Sequence, residues 1–190
     1  MPVLYARVPE DRLGVLIGPG GRTKRDLAIR TGTDIEIDTN DGEVRLSGPD
    51  SDPMGVLKAR DIVLAIGRGF SPERAFRLLK ENTFLGILDI KFTTGHREKA
   101  ALRRIRARAI GAHGQARSRI EELSGCSMSV YGSTVALIGE EEQLERATHA
   151  VELLLKGSEH STVFHYLARA RREAALEDAT RGSAAPDFEA

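Results

Sequence analysis

Apolar and polar residues follow two different spacings along the chain, and the order of these spacings occurs twice. In the first half, apolar residues three and four positions apart indicate helices, while strict alternation indicates half-buried strands. Asp41-Gly42 lies between two alternating segments, which is typical of a hairpin turn. The predicted elements are a strand at 2–8, helices at 10–17 and 22–31, strands at 34–38 and 44–47, and a helix at 54–67.

The second half repeats this order after a predicted connecting helix at 71–80. Ile17-Gly18-x-x-Gly21 corresponds to Ile110-Gly111-x-x-Gly114 at an offset of 93 residues, and Thr31-Gly32 corresponds to Ser124-Gly125 at the same offset. A preserved order with slightly different loop lengths is what duplicated units show. The second set is predicted as a strand at 84–92, helices at 97–110 and 115–124, strands at 127–131 and 134–138, and a helix at 140–156.

A last apolar stripe, which includes Val163 and Leu167, predicts a C-terminal helix that has no counterpart in the first half. We expect this helix to dock on the two units. The small and polar residues that follow it predict a disordered tail. The predicted division is a first unit with its connecting helix at 1–80, a second unit at 84–157, a C-terminal helix at 158–178 and a tail at 179–190.

Each repeat contains a glycine loop between two helices, and this arrangement suits phosphate binding. Glycine allows positive φ and close approach of another backbone, and the helix that follows presents free N–H groups and the positive end of its dipole. Such a helix start is a ready anion site. Two glycines three apart are often only a turn, but the repetition of the arrangement with flanking arginines favours a ligand-binding role.

Charge is distributed unevenly, although the formal net charge of the whole chain is zero. Residues 97–119 contain eight Lys/Arg and one Asp/Glu, a net charge of +7, whereas residues 120–160 contain two Lys/Arg and eight Asp/Glu, a net charge of −6. A local basic surface of this kind favours a polyanionic partner. Cys126 is the single cysteine, so an internal disulfide is excluded. No apolar run has membrane-spanning length, and we expect a cytoplasmic protein without a membrane partner.

The motifs of common enzyme and metal sites are missing from the sequence. It has no G-x-x-x-x-G-K-[ST] phosphate loop, and the loop at 18–21 follows a helix rather than a strand, which excludes a dinucleotide fingerprint. The five histidines lack metal-ligand spacing. We therefore expect no catalytic residues, metal, cofactor or small-molecule substrate.

The order strand, helix, Ile-Gly-x-x-Gly, helix, strand, strand, helix resembles the type I KH domain. This resemblance implies an α+β fold with two tandem KH domains, each a three-stranded antiparallel sheet backed by three helices, plus the C-terminal helix. KH domains hold four single-stranded nucleotides, with the glycine loop against the backbone. The clefts would be walled by strands around 35–37 and 128–130. By position, the expected RNA-binding residues are Gly18, Pro19, Gly20, Gly21, Arg22, Lys24, Arg25, Arg104, Arg106, Arg108, Gly111, Ala112, His113, Gly114, Gln115, Arg117 and Arg119.

The second half has further segments that resemble the archaeal partner-of-Nob-one (Dim-two) family of ribosome-assembly proteins. These segments include Ile120-Glu121-Glu122-Leu123, Val130-Tyr131-Gly132 and Val135-Ala136-Leu137-Ile138-Gly139. The resemblance implies a non-catalytic assembly factor that binds single-stranded RNA near the 3′ end of small-subunit (16S) ribosomal RNA, alongside a separate maturation endonuclease.

Two hypotheses follow. In the first, the protein is a single-stranded RNA-binding assembly factor. In the second, it is an adaptor that binds a ribosomal or translation-initiation protein, and its first unit has lost RNA affinity. We expect the second unit to bind RNA more strongly, because its entry helix is rich in arginine, while Asp34, Glu36 and Asp38 would repel phosphate beside the first cleft.

Overall fold

The computed structural model describes residues 2–183. The first unit forms a three-stranded antiparallel sheet with three helices packed against its apolar face. Its elements in chain order are β1 (Val3–Arg7), α1 (Glu10–Ile17), α2 (Arg22–Thr31), β2 (Asp34–Ile37), β3 (Glu43–Ser47) and α3 (Pro53–Gly67). The strand order is β1-β3-β2, and Ile35 pairs with Leu46 across the hairpin.

The second unit has the same topology, with strand order β4-β6-β5 in its sheet. A short helix and a 3₁₀ turn connect the units. In chain order, the connection and the second unit contain α4 (Pro72–Ala75), a 3₁₀ turn (Phe76–Leu79), β4 (Thr83–Asp89), α5 (Ile90–Thr94), α6 (Lys99–Ile110), α7 (Gln115–Ser124), β5 (Ser127–Tyr131), β6 (Thr134–Glu140) and α8 (Glu141–Leu155). Together the two sheets confirm the α+β tandem KH architecture.

The expected strand at 84–92 is wrong at its C-terminal end. β4 stops at Asp89, and the next five residues form α5. The Asp89 side chain accepts hydrogen bonds from the backbone N–H groups of Lys91 (2.7 Å) and Phe92 (3.1 Å), which fixes the start of a helix, and Gly95 ends it in the left-handed conformation. The expected single connecting helix at 71–80 is likewise divided into α4 and the 3₁₀ turn.

The units share a hydrophobic core across one face of the second sheet. Ala136 and Ile138 on β6 are fully buried in the core of the first unit, and Leu85 on β4 packs beside them. Arg74 pairs with Glu121, and Arg77 donates a hydrogen bond to Ser127. The second sheet is therefore covered by helices of its own unit on one face and by the first unit on the other.

The C-terminal helix, α9 (His160–Ser183), begins after the predicted start and continues past the predicted end at 178. Val163 and Leu167 are buried in the core of the second unit, where the helix packs on α7 and α8. Its core contacts therefore lie within one unit, not across both as expected. The rest of the tail predicted to be disordered, at 184–190, lies outside the described residues.

Candidate nucleic-acid interface

The two glycine loops have the same backbone conformation. Each is a 3₁₀ turn between two helices, at Pro19–Gly21 and at Ala112–Gly114. The φ angles at the first, third and fourth loop positions are 72°, 57° and 75° in the first loop, and 75°, 50° and 78° in the second. α2 and α7 start directly after these turns, so each loop lies at a helix N-terminus that attracts anions.

The first glycine of each loop allows the following helix to come close. A Cβ on Gly111 would lie 2.6 Å from Ala116 Cβ and 2.7 Å from Ala116 N. A Cβ on Gly18 would lie 2.9 Å from Thr23 N. Since both positions also have positive φ, only glycine fits without displacing the helix.

The two loops differ in the residue at their third position. Gly20 adopts its left-handed conformation freely, whereas His113 holds the same conformation with a side chain, which costs about 1–2 kcal/mol. Strained residues of this kind persist where the surrounding structure fixes them, and they cluster at functional sites. The His113 side chain is exposed over the second loop.

The basic residues of the first site lie on the surface of α2. Arg22 is 80% exposed and forms an ion pair with Asp26, with 3.8 Å between Arg22 Nε and the carboxylate. Arg25 is exposed, and Lys24 is half-buried. These three cations are available beside the first loop.

Two arginines of α6 contact carbonyl groups within the fold. Arg108 donates hydrogen bonds to the carbonyl oxygens of Gly157 (3.0 Å) and Ser158. Arg106 Nη1 donates to the carbonyl oxygen of Gly132 at 3.1 Å. Arg108 thus holds α6 to the connection between α8 and α9, whereas Arg104 is exposed to solvent.

The expected residues on α7 lie close to the second loop. Gln115 is its first residue and is exposed. Arg117 is half-buried, and its buried Nε has no hydrogen-bond partner in the described part of the chain. Arg119 is 49% exposed and pairs with Glu122 at 2.8 Å. Gln115 and Arg119 are therefore exposed polar side chains on the helix that follows the loop.

The expected cleft strands present apolar side chains towards the helices, with Ile35 and Met128 buried. The expectation that Asp34 and Glu36 repel phosphate beside the first cleft is wrong. They alternate with Ile35, so they lie on the opposite face of the sheet, where Glu36 pairs with Arg45 at 2.9 Å.

Comparison with known proteins assigns both units. The protein-family model for the KH domain matches residues 4–65. A second family model, described as the eukaryotic type KH-domain (KH-domain type I), matches residues 85–172. A KH domain-containing protein of Methanocaldococcus jannaschii is 43% identical over 169 residues, which cover 88% of this chain and 73% of that protein.

The crystal structure of Dim2p from Pyrococcus horikoshii is 50% identical to this chain, with a TM-score of 0.83, and the match covers 89% of this chain and 99% of that one. The chain belongs to the archaeal Dim2 family of two-KH-domain proteins. Dim2p in the a/eIF2alpha-aDim2p-rRNA complex of the same organism is 49% identical, with a TM-score of 0.85, and the match covers 90% of this chain and 95% of that one. A protein of unknown function from Aeropyrum pernix is 38% identical, with a TM-score of 0.92, and the match covers 96% and 97% of the two chains.

One basic surface of this Dim2-family protein was missed at the sequence level. A cavity of about 610 Å³ beside the turn between β5 and β6 is lined by Lys91, Lys99, Arg103 and Arg106. The basic composition of residues 97–119 indicated part of this surface, but the misplaced strand end hid Lys91 by assigning it to the sheet. The cavity extends the positive charge of α6 away from the glycine loop.

Other features of the described residues concern stability more than binding. Burial raises the pKa of the Cys126 thiol to about 11, and the hydrogen bond to Asp11 raises the pKa of Tyr131.

None of the helices within residues 2–183 is both long and apolar enough to cross a membrane. Across the same range, no cluster of three His, Cys, Asp or Glu side chains is arranged to hold a metal ion.

Proposed function

We propose that this protein binds single-stranded RNA through its KH clefts and that the second unit contributes most of the affinity. The observation that carries the proposal is the second glycine loop, which has the same conformation as the first but places the strained, exposed His113 at its third position. Exposed Arg104 and Arg119 lie on the two helices that flank this loop. A loop of this kind holds the backbone of single-stranded RNA in KH domains.

The proposed RNA is small-subunit ribosomal RNA near its 3′ end. Support comes from the Dim2p relative that has been crystallised with rRNA, to which this chain is 49% identical. On this proposal the protein acts in the cytoplasm as an assembly factor without catalysis of its own, and a separate endonuclease cuts the RNA.

A translation factor is the second proposed partner, because the relative was crystallised with a/eIF2alpha as well. The first sheet offers a surface for it. Tyr5 is 57% exposed and Val3 36% exposed on β1, on the face that corresponds to the covered face of the second sheet. We expect Tyr5→Asp to weaken binding of the archaeal initiation factor 2α subunit, measured by calorimetry, and to leave RNA affinity unchanged. Equal binding of the 2α subunit by Tyr5→Asp and by the wild type would contradict docking on this face.

Filter binding with short RNA tests the RNA proposal directly. Single-stranded RNA should bind more tightly than duplex DNA, whose stacked bases do not enter a narrow cleft. With about four phosphates held, affinity should fall roughly 10- to 50-fold between 50 and 200 mM salt. Equal affinity for duplex DNA, or affinity that is independent of salt, would favour the adaptor function instead.

Charge reversal in one loop at a time separates the contributions of the two units. Ala112→Asp with His113→Asp should nearly abolish RNA binding, because two carboxylates would face the phosphate backbone. Pro19→Asp with Gly20→Asp should weaken binding less. Aspartate tolerates the left-handed conformation at both third positions, so both variants should remain folded. Equal losses would indicate one RNA path over both clefts, and a larger loss in the first loop would reverse the assignment.

A further inference from the structure

A cavity of about 460 Å³ lies beside the second glycine loop, between that loop and the C-terminal helix. Its volume falls within the range of about 300–1,000 Å³ that is usual for small-molecule sites. The loop and α7 form one wall, and α9 forms the other. The residues that line it are Gly111, Ala112, Gln115, Ala116, Arg119, His160 and Phe164.

The wall contributed by α9 is held firmly in place. Val163 and Leu167 are buried in the second core, on the same helix as the two aromatic residues of the cavity. His160 Nε2 lies 2.9 Å from the carbonyl oxygen of Arg108, within hydrogen-bond distance. Arg108 in turn donates hydrogen bonds to the segment that precedes α9. The aromatic residues are therefore fixed relative to the loop before any ligand binds.

The cavity combines groups that recognise a nucleobase. The rings of His160 and Phe164 have centroids 5.9 Å apart, and both side chains are half-buried, so part of each remains accessible. Aromatic side chains stack on bases of single-stranded nucleic acids. The amide of Gln115 offers both donors and acceptors to a base edge, and the exposed Arg119 offers a cation to phosphate.

This arrangement belongs to the second unit, because α9 has no counterpart in the repeat and packs on α7 and α8. Gly111 and Ala112 belong to the glycine loop and also line the cavity. A strand of RNA whose backbone passes over Gly111–Gly114 would therefore place its next nucleotide at the cavity.

We propose that the cavity takes one nucleobase of single-stranded RNA, adjacent to the nucleotides held in the second KH cleft. The inference rests on the proposed RNA-binding function and extends its site onto the C-terminal helix. Phe164 is the stacking residue, and Gln115 contacts the base edge.

The test uses the full-length protein and a ten-nucleotide RNA with the sequence of the small-subunit rRNA 3′ end. Each position of this RNA is made abasic in turn, and affinities are measured for the wild type and for Phe164→Leu. Leucine retains apolar packing but removes the aromatic ring. We expect Phe164→Leu to weaken binding of the intact RNA about 5- to 100-fold, the range of one lost stacking contact. Phe84→Leu, a change of the same kind at an exposed phenylalanine on β4, should leave affinity unchanged.

The decisive result is the coupling between variant and abasic position. One abasic position should weaken binding by the wild type but not weaken binding by Phe164→Leu further, because both changes remove the same contact. If every abasic position weakens both proteins by the same factor, the cavity proposal is overturned while RNA binding stands. If Phe164→Leu does not fold, Gln115→Ala, a change at an exposed residue that lines the cavity, takes its place in the same scan. One abasic position that does not weaken this variant further supports the proposal, and the absence of any such position refutes it. Failure of the wild type to bind the intact RNA would instead overturn the proposed function.

Discussion

At the scale of single residues, the two glycines of each loop have different tasks. The first, Gly18 or Gly111, combines positive φ with close contact to the following helix. The fourth, Gly21 or Gly114, has positive φ, but an added Cβ would meet open space or, at Gly114, only Arg117 Nη2 at 3.8 Å. The first glycine therefore serves packing and conformation, and the fourth serves conformation alone.

Alanine substitutions should separate these tasks. Gly111→Ala should lower the free energy of unfolding by about 2–5 kcal/mol, the combined cost of overpacking and of a left-handed alanine. Gly114→Ala should lower it by about 1–2 kcal/mol, the conformational cost alone. Denaturant unfolding of the two variants measures the difference. The matched pair Gly18→Ala and Gly21→Ala should fall in the same order, and a larger loss at either fourth position would contradict the assignment.

How much of the site could be predicted differs from residue to residue. The loop positions and the starts of α2 and α7 follow from local glycine and helix patterns, and the structure places them as predicted. The contacts of Arg106 and Arg108 join residues 26 and 49–50 positions apart, so no local pattern indicates them. The outward direction of Glu36 was readable, because strict alternation with a buried isoleucine requires it.

At the scale of elements, the most informative error is the end of β4. Apolar residues continue through Ile90 and Phe92, and a short apolar run does not distinguish a strand from one helical turn. The cap formed by Asp89 determines the outcome, and it leaves Phe92 at 92% exposure. The helices before the glycine loops kept their predicted identity, because Gly18 and Gly111 end them directly.

Removal of this cap should destabilise the second unit. Asp89→Ala removes an acceptor that serves two backbone N–H groups, and it should lower the free energy of unfolding by about 1 kcal/mol. Asp89→Asn keeps a capping oxygen and should cost much less. The comparison is made by chemical denaturation. Equal effects of the two substitutions would show that the side-chain oxygen is not what stabilises the start of α5.

At the scale of the whole molecule, the repeat in the sequence indicates two units but not how they pack. The second sheet places Ser127, Ser129, Ala136 and Ile138 against the first unit, and Ser129 Oγ donates a hydrogen bond to the carbonyl oxygen of Arg68 at 2.9 Å. β5, the strand expected to wall the second cleft, is thereby also an interface strand. The glycine loops of both units are attached to one continuous packed structure, which fixes their separation.

Shared packing predicts that the two units unfold together, and Cys126 can report this. The thiol is 2% exposed in the second unit, and its raised pKa leaves little thiolate at pH 8, so it should react with thiol reagents only when that unit opens. Leu27→Ala creates a cavity in the first unit, where Leu27 is fully buried, and should cost about 2–5 kcal/mol.

The experiment uses conditions in which the opened unit recloses faster than the thiol reacts, because the labelling rate then follows the free energy of opening. If unfolding is cooperative, Leu27→Ala should accelerate labelling of Cys126 by more than tenfold. Ile29→Ala is the matched control, since Ile29 lies on the same helix but is 79% exposed. In this variant Cys126 should be labelled at the wild-type rate. An unchanged rate in Leu27→Ala would show that the second unit opens by itself despite the shared core. The fixed spacing of the two glycine loops would then depend on the interface contacts of Arg74 and Arg77 and not on a common folding unit.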